Sequence, residues 1–371
     1  MRTGKKRERH AVNPAHPSLQ KRISDFLQDA TNTFSHTTLQ KRNATHPANT
    51  PLFSVIIPTY NGEHHITKTL DSVWQQALHD ATYEVIVVND GSDDRTESAV
   101  MHYFTNHPTP IPMTLITIPH NAGPAVARNI GILSARGTYL AFTDDDCIVP
   151  KNWLANFYET FRRHPAIQGV GGWKRPYTEH GRAASRYDVF IFLSRWPYMR
   201  NEAMGHALTQ FNNCGDTANV CYTKHAVRTV GGFNPAFRYL EDWEMKMRMH
   251  KAAYPLLYQP LMVDHISDSS LIQFARHHLM HGREAALISR LHPLAASLHI
   301  TFQKALARCK SDIDRMPHNT PSKTLMGTVW RPHEYVALIY MKYFLLFLGA
   351  LSAVAVRFPT GPSETDNIVS L

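Results

Sequence analysis

The chain has 371 residues, 43% hydrophobic and 19% charged, which leaves room for about two domains and material for a sizeable core. Its formal net charge of +9 sits mostly in the first 50 residues, where nine Lys/Arg face three acids. The body is therefore close to neutral, which argues against a nucleic-acid reader. Four cysteines (Cys147, Cys214, Cys221, Cys309) form no CxxC pair, which excludes a disulfide framework and fits a reducing compartment.

Residues 1–51 are polar, basic and punctuated by Pro14, Pro17, Pro47 and Pro51. They read as a flexible leader with a short helix over Ser18–Leu27. No apolar stretch follows the N-terminal charges, so no secretory signal is expected. From Phe53 the pattern changes to alternating strands and helices. Phe53–Pro58 is a short apolar strand of the buried parallel type. Ile66, Leu70, Val73 and Ala77 keep helical spacing, and Tyr83–Val88 is a second buried strand. Ser92 is placed to cap a helix carrying Ala99, Val100 and Tyr103. Met113–Ile118 is a third strand, and Pro124 opens a helix with Val126, Ile130 and Leu133 inside. Tyr139–Thr143 is a fourth strand, and Pro150 opens a helix with Leu154, Phe157 and Phe161 on one face. This alternation predicts an α/β fold with a parallel sheet and ligands beyond the carboxyl ends of its strands.

The region 166–265 is more mixed. Val220–Tyr222 reads as a strand, Lys224–Val230 as a short helix stopped by Gly231-Gly232, and Glu241–Lys251 as a helix. Gly169-Val170-Gly171-Gly172-Trp173 and Asn213–Asn219 read either as plain loops or as parts of an acceptor side. A long helix is expected over Ser270–Leu291. Tyr335–Val356 is apolar except for Lys342, and this stretch is expected to touch a membrane, spanning or interfacial, against a buried hairpin or helix.

Chemistry concentrates at the strand ends. The fourth strand runs into Asp144-Asp145-Asp146. Carboxylates packed this closely repel, and a divalent cation held through oxygen by Asp144 and Asp146 relieves that. Pro58-Thr59-Tyr60-Asn61 closes the first strand and Asn89-Asp90-Gly91-Ser92 the second. Asp90 offers an acceptor pair suited to a base imide N–H or a ribose hydroxyl, or serves as a simple turn aspartate. No G-x-G-x-x-G follows the first strand and no P-loop motif occurs, so a dinucleotide dehydrogenase or P-loop enzyme is not indicated. Cys147 reads as packing, because hard cations prefer oxygen.

These residues, with Asn121-Ala122-Gly123-Pro124, Ala127-Arg128-Asn129-Ile130-Gly131, Gly231-Gly232-Phe233 and Glu241-Asp242, resemble a family 2 glycosyltransferase with the GT-A fold. The motifs follow family order over about 53–265. The resemblance implies a GT-A-type, Rossmann-like, mostly parallel sheet flanked by helices, with a helical C-terminal extension. The implied domains are 1–51 (leader), 52–270 (transferase) and 271–371 (helical, with 335–356 the membrane candidate). It implies nucleotide-sugar binding by Pro58, Thr59, Tyr60, Asn61, Asp90, Arg128, Asp144 and Asp145. It implies Mg²⁺ or Mn²⁺ on Asp144, Asp146 and His265, and catalysis by Asp242 with Glu241.

The donor implied is a nucleoside diphosphate sugar, UDP-linked by preference; the apolar stretch Tyr335–Val356 adds the expectation of a lipid-linked or envelope saccharide acceptor at the cytoplasmic face of the membrane. Bland readings stand beside these roles. Asp242 pairs equally well with Lys246 on a solvated helix face, and His265 is one of 23 histidines. Asn89 stands where the family often has a second aspartate. Gln273-Phe274-Ala275-Arg276-His277 lacks the tryptophan of the Q-x-x-R-W motif of processive synthases, so transfer of one sugar is expected. The rival functions are a sugar nucleotidyltransferase, for which the Gly-rich loop after the first strand is missing, and a non-catalytic nucleotide-sugar scaffold.

Overall fold

The computed structural model describes residues 50–78, 82–107, 111–177, 185–191, 215–266, 269–292, 307–308, 310–311, 324–325, 328–329 and 332–353. The leader to residue 49 with its expected helix, Asn213, Cys214, Cys309 and the end of the apolar stretch at 354–356 lie outside them.

In chain order the strands are β1 (Phe53–Thr59), β2 (Tyr83–Asp90), β3 (Met113–Ile118), β4 (Tyr139–Phe142), β5 (Cys147–Ile148), β6 (Gly169–Pro176), β7 (Val220–Thr223), β8 (Leu256–His265), β9 (Thr324–Leu325) and β10 (Thr328–Val329). The helices are α1 (Ile66–Trp74), α2 (Thr96–Asn106), α3 (Pro124–Ser134), α4 (Trp153–Arg163), α5 (Lys224–Thr229), α6 (Glu241–Lys251), α7 (Leu271–Leu291) and α8 (Pro332–Ser352).

One sheet of eight strands runs β3-β2-β1-β4-β7-β6-β8-β5. β3, β2, β1 and β4 are parallel neighbours, as the alternation predicts. β7 then joins β4 antiparallel, β6 joins β7 antiparallel, and β8 lies parallel to β6. The sheet is therefore mixed, with its parallel half first. Every residue of β1 and β2 is buried, because helices cover both faces and the strand sequences are apolar throughout. Alternate residues feed two cores. Val55 and Ile57 point to one side with Leu70, Val100 and Phe157, while Ile56 points to the other with Ile86, Val126 and Met245.

Three local expectations change. α2 begins at Thr96 rather than just after Ser92, because the Ser92 hydroxyl donates to Asn89 Oδ1 (2.6 Å) and closes a turn instead. Residues 169–173 are strand rather than loop, since β6 is flanked on both sides by β7 and β8. β5 and β8 were not foreseen; their pairing sets Cys147 opposite His265.

A third core gathers Phe190, Phe237, Leu240, Met247, Phe274, Ile288, Ile339 and Tyr343 between α6, α7 and α8. α7 starts with a capping box, in which Ser270 Oγ accepts from Gln273 N–H and Gln273 Oε1 accepts from Ser270 N–H. α7 and α8 touch backbone to backbone, because a Cβ on Gly282 would collide with Leu346 and one on Gly349 with Leu279. Among the described residues no helix is long and apolar enough to cross a membrane.

Candidate active site

Beyond Phe142 the chain leaves the sheet in a turn, with Cys147 N–H donating to the Asp144 carbonyl at 3.2 Å. That turn fans the three carboxylates apart, and each meets a different partner. Asp144 Oδ1 accepts from Arg128 Nη2 at 2.8 Å, and Lys174 Nζ stands 4.0 Å from its other oxygen. Asp145 turns back toward β1, where Thr59 Oγ1 donates to its Oδ2 at 2.5 Å. A Cβ on Gly62 would collide with that carboxylate and with Thr59 Oγ1, so a larger residue there would have to displace the Asp145 side chain. Asp146 Oδ2 lies 3.1 Å from His265 Nε2, brought there by the β5–β8 pairing.

The carboxylates consequently differ in acidity. Burial and the neighbouring charges of Asp146 and Asp144 push the Asp145 carboxyl up to about 8. Burial works the same way on Asp146, yet His265 and Lys174 hold it well below the usual range.

Arg128 ties this turn to the start of α6. Its side chain is 5% exposed, and its Nη1 donates to Glu241 Oε1 at 2.6 Å while Nη2 holds Asp144. Burial opposes its charge, and Asp144 and Glu241 more than restore it. Burial and the charge of Asp242 push Glu241 up to about 7 against the pull of Arg128. The next residue, Asp242, accepts from Lys246 Nζ at 2.9 Å and from the Trp243 N–H at 2.7 Å. This is the expected i, i+4 pair, but both partners are buried rather than on a solvated face. Lys246 also donates to the Gly215 carbonyl.

Neighbouring motifs position these groups. Asn129 brackets Phe233, its Nδ2 donating to the Phe233 carbonyl (2.8 Å) and its Oδ1 accepting the Phe233 N–H (2.9 Å). Gly231 and Gly232 take φ of 86° and 68° to make that turn. Glu284 of α7 accepts three successive N–H groups, from Arg238, Tyr239 and Leu240, at 2.8–3.0 Å. Asn219 is buried and joins Trp153, Trp173 and Leu261, which makes it a clamp between strands.

Asp144, Glu241, Asp242 and His265 line one cleft of about 760 Å³ with Arg128, Lys174 and Asp216. Thr59 and Asp145 meet the same turn from the β1 side. Tyr60 is 45% exposed and so open to stacking, and Asn61 exchanges hydrogen bonds with Ser92 and Asp93. Asp90 departs from the reading of a free acceptor pair. Its two oxygens accept the N–H groups of Ala122 and Gly123, both at 2.8 Å, and burial raises its pKa.

Sequence reasoning missed Lys174, because β6 read as a loop. It also missed Glu284, whose one signal was being the single acid in an otherwise basic helix. Asp144, Asp146 and Cys147 offer ligand atoms within 4.8 Å of one another. Burial keeps the Cys147 thiol protonated, so the donors suited to a hard divalent cation are the carboxylates, with His265 beside them. Glu241 Oε2 and Arg128 Nε are buried here without hydrogen-bond partners, as expected of groups that serve a ligand. The residues present fit a divalent cation.

The model of glycosyl transferase family 2 matches residues 54–230. Residues 54–230 belong to that family. The chain is 31% identical over 183 residues to glycosyltransferase AglE of Haloferax volcanii, covering 49% of this chain and 56% of that protein. It is 35% identical over 108 residues to the UDP-Glc:alpha-D-GlcNAc-diphosphoundecaprenol beta-1,3-glucosyltransferase WfgD of Escherichia coli, covering 29% of this chain and 38% of that one. The chain thus spans about half the length, or less, of these curated relatives. Its fold, the GT-A type, matches the mannosyltransferase PcManGT of Pyrobaculum calidifontis, solved with GDP-Man and Mn²⁺, with a TM-score of 0.56 and 17% identity. That match covers 91% of this chain and 96% of the other.

Proposed function

We propose that this chain is an inverting, metal-dependent glycosyl transferase. It moves one sugar from a nucleoside diphosphate sugar, UDP-linked by preference, to a hydroxyl of a lipid-linked or envelope saccharide. The observation that carries this reading is the Arg128 bridge, 2.8 Å to Asp144 and 2.6 Å to Glu241. It joins the acidic turn after β4 to the acidic start of α6 across a single cleft, so a donor and an acceptor can meet between them.

In this reading Asp144 and Asp146, with His265, hold Mg²⁺ or Mn²⁺. The cation supplies Lewis-acid stabilisation of the departing diphosphate. Asp242 takes the proton of the acceptor hydroxyl, and Lys246 fixes the orientation of its carboxylate. A base on the face opposite the leaving group makes the displacement in-line and inverts the anomeric centre. Glu241 aims Arg128. Pro58, Thr59, Tyr60 and Asn61 line the nucleoside end. Asp90 shapes that end by fixing the Ala122–Gly123 backbone. Asp145 shares the corner with Thr59. The UDP preference and the lipid-linked acceptor draw on what the name of WfgD states of that protein. The cysteine usage fits a reducing, cytoplasmic setting. His277 stands where processive synthases have the tryptophan of Q-x-x-R-W, which supports one transfer rather than polymerisation.

The test is UDP release from UDP-sugars by the purified full chain with Mn²⁺, with and without chelator. Release that is lost on chelation and in Asp242→Asn is the expected result. Donor binding without turnover under all conditions would instead make the chain a nucleotide-sugar scaffold. Condensation of a sugar phosphate with a nucleoside triphosphate would make it a nucleotidyltransferase.

A further inference from the structure

α8 is apolar nearly all round, and such a helix is ordinarily buried on every side. Here one side packs on α7 and into the third core through Ile339, Tyr343, Ala350 and Ala353. The other side is open. Tyr340, Phe344 and Leu351 are 50–59% exposed at helical spacing, on one stripe. α7 continues the surface with Ile272, 80% exposed, and Leu279, whose backbone meets Gly349 of α8. Large apolar side chains exposed in this number mark an interaction surface.

The charge around the stripe points to the partner. On the same stripe of α7 as Ile272 and Leu279 stand Arg276, exposed and also at the cleft, and Arg283, half-buried. The one acid of α7, Glu284, is buried under the loop before α6 and is absent from this surface. Apolar side chains flanked by Arg276 and Arg283 complement a bilayer that carries anionic headgroups.

We propose that the α7–α8 pair is a membrane dock that lies in the plane of an anionic bilayer. It inserts Ile272, Leu279, Tyr340, Phe344 and Leu351 to the depth of the headgroups, without crossing. Gln273, His277 and His281 of the same α7 line the cleft, so docking sets the cleft beside the bilayer surface. The docking stands on the surface alone. Its use, the supply of a lipid-linked acceptor, rests on the transfer reaction proposed above.

The experiment is flotation of the full chain with phosphatidylcholine vesicles, with and without phosphatidylglycerol, comparing wild type, Ile272→Glu and Phe344→Glu. Circular dichroism and donor hydrolysis in the absence of vesicles are read on the same samples. The expected result is binding to the anionic vesicles that weakens with added salt and falls at least about tenfold in each variant. Fold and hydrolysis stay unchanged. Equal binding by variants and wild type would assign the contact to the basic leader and overturn the dock. A dimer in sedimentation velocity that Phe344→Glu dissociates, with no vesicle binding by either protein, would give the face to a second copy and also overturn it. Hydrolysis lost from the wild type would strike the reaction and leave the docking result standing.

Discussion

Two rows of acids reach this cleft, through Asp144 in one and Glu241 and Asp242 in the other, and the chain treats them differently. At the start of α6, Glu241, Asp242 and Glu244 each have an internal base: Arg128, Lys246 and Arg248. They also sit in the first turn of a helix, where the backbone dipole favours negative charge. At the end of β4, Asp144, Asp145 and Asp146 lie in a turn with no such dipole, and their partners are unevenly spread. Arg128 serves both rows, Lys174 stands at the edge of ion-pair distance, His265 meets Asp146, and Asp145 has hydrogen-bond donors from Thr59 and the Tyr60 backbone but no cation. One row is matched by bases from within the fold. The other, in the proposed reaction, is the one that holds a cation. A group that must take a proton from an acceptor belongs to the first kind, and a cation site to the second.

The largest effect expected from this contrast is on turnover. Asp242→Asn keeps the shape of its side chain and removes the base, so kcat should fall about a thousandfold while donor binding persists. Turnover and Mn²⁺-dependent donor affinity, measured together, would show the split. Equal loss of both would mean that the two rows do one job.

The second effect separates the rows by metal. Asp144→Asn or Asp146→Asn should abolish the rise in melting temperature that Mn²⁺ gives the wild type, because a ligand that binds only the folded state stabilises it. Glu244→Gln should leave that Mn²⁺ shift intact. A shift that survives both aspartate substitutions would place the cation elsewhere.

How much of this was legible in the sequence follows the same division. Strands β1 to β4 could be read because buried parallel strands are continuous apolar runs, and their ends carry Thr59, Asp90 and Asp144 at once. β6 and β8 could not. Their sequences, GVGGWKRP and LLYQPLMVDH, hold glycine, proline and charge, and they are strands only because they pair with each other and with β7 or β5. Lys174 and the approach of His265 to Asp146 depend on that pairing. Asp90 misled for a related reason: whether its oxygens are free is set by a loop 32 residues away. The Asp242–Lys246 pair was visible as spacing, but its burial, which turns a surface pair into a positioned group, comes from the packing of α6 against the sheet.

The third effect is on stability and tests the claim that the α6 row is compensated from within. Arg248 and His292 overcome the burial of Glu244 and hold its carboxyl near 2, against an ordinary glutamate value of 4.5. A pKa depressed in the folded state contributes stability above the unfolded value and loses it as pH falls through the folded one. Glu244→Gln should therefore cost about 3 kcal/mol in urea unfolding at neutral pH, since it leaves the Arg248 guanidinium without its buried carboxylate. The gap between variant and wild type should close as pH drops from about 4.5 towards 2. A gap that is flat over that window would show that Arg248 is anchored mainly by the carbonyls of Val230 and Gly232, to which it also donates.

The smallest effect sharpens the other side of the comparison. Gly62→Ala sets a methyl against the Asp145 carboxylate and Thr59 Oγ1, in a corner fixed further by Thr69, whose hydroxyl donates to the Asp145 carbonyl at 2.8 Å. The methyl cannot be accommodated unless the Asp145 side chain swings away from Thr59. Asp144 and Asp146 are held by Arg128 and His265 on other sides, so the cation site should survive while the nucleoside end distorts. The expected outcome is a rise of about tenfold in donor KM, with the Mn²⁺-induced shift in melting temperature unchanged. If the Mn²⁺ shift fell as well, the three aspartates would act as one rigid turn, and the division of labour among them would have to be drawn between the two acidic rows alone.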